Sequence, residues 1–126
     1  MGKSLMTLKF DEFWRWLHEH ANCILRVGTE DFALFDQDDL HWHLEGDARQ
    51  PVIQLIQGKR LMAELIMDTR EVAFVQASPE ASEPGDQTTL FELVVTGEGE
   101  RFSSYHFLMA HPQEQSTAAH PPGLRH

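Results

Sequence analysis

Residues 40–77 contain four strand-length apolar runs, at 40–45, 52–57, 61–67 and 72–77. The turns between them are too short for anything but antiparallel pairing, since parallel neighbours need a crossover of about a dozen residues or more. The first run alternates cleanly. Leu40, Trp42 and Leu44 face one way, and His41, His43 and Glu45 face the other.

The stretch Gln57-Gly58-Lys59-Arg60 reads as a tight hairpin turn, with Gly58 supplying a positive φ. With Gly58 and Lys59 as the two loop residues, Gln57 pairs with Arg60, Ile56 with Leu61, Leu55 with Met62 and Ile53 with Glu64. Both faces of this hairpin then carry large apolar side chains. Cover on both sides is the expectation, from a sheet that curls on itself or from another subunit.

Upstream, residues 10–21 are expected to be helical. Phe10, Phe13, Trp14, Leu17 and Ala21 form one apolar stripe at helical spacing. Asp11 and Glu12 suit the positive end of the helix dipole, and either Thr7 or Asp11 is the expected N-cap. Trp14 belongs to the core side, whereas Trp16 lies about 200° away on the wheel and is expected at the margin or at a second contact. Short strands follow at 23–27 and 32–35. Beyond residue 77 come a polar loop at 78–87 and strands at 88–96 and 103–111, the latter with Tyr105, Phe107 and Met109 on one face. Residues 112–126 hold almost no large apolar side chain and read as a disordered tail.

The fold expected from these elements is α+β, a single domain over residues 1–111. One N-terminal amphipathic helix packs on a curved, mostly antiparallel sheet of about seven strands.

Charge narrows the partners. Twenty acidic residues against ten basic ones give a formal net charge of -10. Such a surface repels phosphate backbones and anionic lipid, so neither nucleic acid nor membrane is an expected partner, while a basic protein is a compatible one. The lone Cys23 forms no internal disulfide, which fits a reducing compartment. No apolar run approaches the roughly 20 residues of a membrane span, and residues 1–11 lack the apolar core of a signal peptide. A soluble cytoplasmic protein is the expectation.

Three side-chain sets are candidates for chemistry. His41 and His43 share a strand face about 6.7 Å apart at the backbone, close enough for two imidazoles to reach one divalent metal such as Zn. Glu45 continues that face, and His106 on the last strand is a candidate further ligand. Against this, two neighbouring histidines among eight also describe an ordinary solvated strand. Trp14 and Trp42 are candidates to line an apolar ligand pocket, although the commoner fate of such residues is the core. Cys23 follows a helix C-terminus, where the dipole works against a reactive thiolate, so it reads as a small buried apolar group. The acidic cluster Asp36, Asp38 and Asp39 lacks the glycine and distal glutamate of a calcium loop and reads as a turn. No nucleophilic triad and no phosphate-binding glycine loop is present.

The functional expectation is a small non-enzymatic binding or regulatory protein that acts through protein contacts as a homodimer. The alternatives are a metal-binding protein or metalloenzyme built on His41 and His43, and a carrier for a small apolar ligand.

Overall fold

The computed structural model describes residues 6–79, 88–97 and 100–110. The expected tail at 112–126 and most of the loop at 78–87 lie outside the described residues. The chain runs β1 (Met6–Leu8), α1 (Phe10–His18), a single 3-10 turn (Ala21–Cys23), β2 (Ile24–Gly28), β3 (Ala33–Phe35) and β4 (His41–Glu45). It continues through β5 (Val52–Gln57), β6 (Arg60–Ile66), β7 (Val72–Pro79), β8 (Thr88–Gly97) and β9 (Glu100–Ala110).

The architecture is α+β and dominated by its sheets, and every strand pair is antiparallel. The expectation of one sheet of about seven strands is corrected. There are two sheets, one of six strands in the order β1-β7-β8-β9-β2-β3 and one of three in the order β4-β5-β6. The strand that the sequence hides is β1. Three residues are too few to show a period, yet Thr7 pairs with Gln76 and Leu8 with Val75 on the edge of the larger sheet. Because Thr7 is engaged there, the helix is capped neither by Thr7 nor by Asp11. Lys9 is the N-cap, and its backbone N–H donates to Glu12 Oε1 at 3.3 Å.

The helix stops at His18, short of the expected Ala21. The chain tightens into the 3-10 turn, and β2 starts at Ile24. Phe13 and Leu17 are fully buried. The Phe13 ring lies 4.9 Å from that of Phe91 on β8 and meets Phe107 on β9 edge-on at 5.1 Å. Trp14 is buried on one flank of this contact. Trp16, half-buried on the other, lies 5.2 Å from Phe91 and stacks on His20 at 4.1 Å. Both tryptophans therefore pack, because the fully buried Phe13 and Leu17 form the centre of the helix contact and leave a flank to each. At ~1.5–3 kcal/mol for each fully buried apolar side chain, this face is a main source of stability.

Both sheets turn their inner faces into the same core. Val75, Phe91, Leu93, Phe107 and Met109 come from the larger sheet, and Trp42, Leu44, Ile53, Leu55 and Leu65 from the smaller. The two are tied at the margin where Asp68 N–H, just past β6, donates to the Tyr105 hydroxyl on β9 at 2.9 Å, while Met67 N–H donating to Pro51 O at 3.0 Å extends the β5–β6 ladder.

Candidate functional site

The hairpin turn is as expected, with Gly58 at φ 62° and Gln57 opposite Arg60. The pairing beyond it is corrected. A bulge falls between Leu55 and Ile56, so Leu55 faces Ala63 rather than Met62, and Ile53 faces Leu65 rather than Glu64. The physical reason is burial. Ile53 is fully buried, and the unbulged register would put a carboxylate against it in the core.

The outer face of the smaller sheet follows from that register. Its middle row is His43, Gln54 and Glu64 in direct cross-strand succession, with Gln54 Nε2 donating to Glu64 Oε2 at 2.8 Å. On one side lies the row Glu45, Val52, Ile66, and on the other His41, Ile56, Leu61. The expected cover on both sides of the hairpin is not present among the described residues. Leu61 is 53% exposed, Met62 46% and Ile66 60%, all three on the edge strand β6.

His41 and His43 share the exposed face of β4, as the alternation predicts, with Trp42 and Leu44 buried behind them. His43 Nε2 lies 2.5 Å from Glu45 Oε2, so the histidine and carboxylate are engaged with one another. His106 stands on β9, in the other sheet. Among the described residues, no group of three or more histidine, cysteine, aspartate or glutamate side chains converges as a metal site would require. Trp14 and Trp42 lie in the shared core, and each indole Nε1 is buried without a hydrogen-bond partner. Cys23 is half-buried against the same core. Asp36, Asp38 and Asp39 are exposed, and Asp39 Oδ2 accepts from Gln57 Nε2 at 2.8 Å.

A second site lies on the outer face of the larger sheet. Glu92 and His106 stand directly opposite on β8 and β9, and Gly28 of β2 follows next across the sheet. One row along, Leu90, Leu108 and Arg26 succeed one another. The β2–β3 turn, through Thr29 and Glu30, and Phe102 at the other end flank a half-open cavity of about 310 Å³ over Arg26, Glu92 and His106. Arg26 Nε and His106 Nε2 are both buried without a partner. Burial, and then the Arg26 charge, push the His106 imidazole below its ordinary pKa, so the ring is neutral at neutral pH. The sequence signal for this site is a charged or titratable residue between apolar neighbours on each of three strands: Arg26, Glu92 and His106. Only the strand order brings them together.

Among the described residues, no helix is long and apolar enough to cross a membrane. Comparison with known proteins finds no family model, no curated protein and no solved structure that matches this chain.

Proposed function

We propose that this protein is a non-enzymatic binding module that works as a homodimer, with the β5–β6 hairpin at the contact. The observation that carries the reading is the trio Leu61, Met62 and Ile66, exposed together on an edge strand. Large aliphatic side chains on a strand with one unpaired edge are the usual substrate for strand or face association.

Charge favours a second copy as the occupant. The chain carries a net -10, yet between Val52 and Ile66 the charged residues are Lys59, Arg60 and Glu64, two positive and one negative. Two acidic chains that approach through this segment, which is itself net positive, meet with less mutual repulsion than their overall charge imposes. A two-fold contact also needs one self-complementary patch, and an antiparallel approach of β6 to its own copy supplies it. A stable dimer buries roughly 1,200–2,000 Å² in total, more than one hairpin offers. The contact therefore extends onto the neighbouring β4 face, with His41, His43 and Glu45 at its rim.

Sedimentation velocity over a wide concentration range tests the reading. The wild-type chain is expected to sediment as a dimer, and the double variant Leu61→Glu, Ile66→Glu as a folded monomer with an unchanged circular-dichroism spectrum. A wild-type chain that remains monomeric at every concentration overturns it.

A further inference from the structure

The cavity on the larger sheet is far from bland. Among the described residues, the Arg26 guanidinium makes no ion pair, although two carboxylates, Glu92 and Glu30, line the same space. Its Nε and the His106 Nε2 are drawn out of water with no acceptor or donor to replace it. A buried polar atom left in that condition costs stability, and a rotation of either side chain that turns the atom onto a ligand in the cavity removes the cost.

The lining groups define the chemistry of the ligand. Arg26 and a neutral His106, in the tautomer that carries its proton on Nε2, offer donors to a carboxylate. Glu92 and Glu30 offer acceptors to an ammonium group. Leu90 and Phe102 form apolar walls between them. A simple anion would meet two carboxylates and one guanidinium, and so a net repulsion. A simple cation would leave Arg26 and His106 unanswered. At about 310 Å³ the space lies at the small end of ligand pockets.

We infer that this cavity binds a free α-amino acid with an apolar side chain, its carboxylate on Arg26 and His106 and its ammonium on Glu92 and Glu30. The site is on the opposite sheet from the β5–β6 hairpin and does not depend on dimer formation. It would make the protein a sensor or carrier of a small zwitterion.

The experiment is an NMR titration of the nitrogen-labelled full chain with the common amino acids, leucine first, followed by isocaproate and isopentylamine, which each keep one of leucine's two charges. Leucine or another apolar amino acid is expected to shift the Arg26 Nε–H and His106 ring signals saturably. Each half-ligand is expected to bind ~10-fold or more weakly, the loss of one charge-assisted contact. Arg26→Gln and, separately, Glu92→Gln are each expected to abolish saturation while the spectrum stays dispersed. Both sit on the outer face of the sheet, so the fold does not hang on either alone. No saturable shift with any amino acid overturns the inference, and so does isocaproate binding as tightly as leucine.

Discussion

Gln54 and Glu64 stand opposite one another on β5 and β6, and the Gln54 side-chain amide donates to the Glu64 carboxylate at 2.8 Å. Counted straight from the turn, Glu64 would instead oppose the fully buried Ile53. One extra residue on β6, Met62, stands between Leu61 and Ala63 where β5 has none between Ile56 and Leu55. The bulge absorbs it, turns Glu64 to solvent and brings Leu65 into the core.

Deletion of Met62 should therefore be tolerated. Leu61 and Ala63 become consecutive, and every observed pair from Gln57↔Arg60 to Val52↔Ile66 survives in a regular ladder. Urea denaturation is expected to place this variant within about 1 kcal/mol of wild type. Deletion of the buried Leu65 shifts the parity of the strand end instead, and should cost several times more. Equal damage from both deletions would show that the bulge does not set the register.

Much of this fold is legible in the sequence because strong periodicity survives without tertiary knowledge. The helix stripe Phe13, Trp14 and Leu17, the alternation of β4 and the Gly58 turn each occupy enough residues to declare themselves. What stays hidden depends on partners distant in sequence. A three-residue β1 has no period of its own and exists because Val75, Gln76 and Ala77 accept it. The division into two sheets is a matter of strand order, which no local pattern encodes. The candidate sites follow the same rule. The exposure of His41 and His43 follows from parity, whereas the meeting of Arg26 with His106 and Glu92 needs β2 to lie beside β9.

Phe13 is the residue on which α1 turns, since its ring meets both Phe91 and Phe107 and is wholly buried. Phe13→Ala should cost about 3–5 kcal/mol and Leu17→Ala about 2–5 kcal/mol, through lost transfer energy plus the cavity left behind. The half-buried Trp16 at the flank should cost less when changed to Leu. Chemical denaturation with unchanged m-values is the measurement, and a cost at Phe13 no greater than at Trp16 would contradict the packing.

The depressed His106 pKa has a signed consequence. The unfolded side chain titrates near 6.5, while burial and then Arg26 hold the folded one lower. Between those two values unfolding takes up a proton, so stability falls as pH drops through the window and is flat with respect to this group above it. Arg26→Gln should raise the folded pKa only part of the way to 6.5, because burial is the larger cause. A second window opens at lower pH. Arg70 hydrogen-bonds the Asp68 carboxylate and holds its pKa at about 2 against an ordinary 3.8, so the stabilisation is present above 3.8 and lost as pH falls toward 2. Proton NMR of the His106 ring checks the first window, and it fails if that ring titrates at or above 6.5.

Two glycines should respond to alanine for different reasons. At Gly28 a Cβ atom would come within 2.2 Å of the Phe32 carbonyl oxygen and 2.6 Å of Ala33 Cα. Both are backbone atoms of the turn into β3, so that turn must open. Gly58 has open space around the same position, and its constraint is the positive φ of 62° alone. Gly58→Ala should then cost roughly 1–2 kcal/mol, the penalty of a left-handed alanine, and Gly58→Asn less, since asparagine tolerates that region. Gly28→Ala should cost more than either and should also perturb the amide signals of Ala33, which it would press on, and of Thr29, on the wall of the Arg26–His106 cavity. Thermal denaturation of the three variants, with amide spectra of the first, gives the comparison. A Gly28→Ala variant as stable as Gly58→Asn would mean that β2 and β3 are not as closely apposed as the Gly28–Ala33 pair requires.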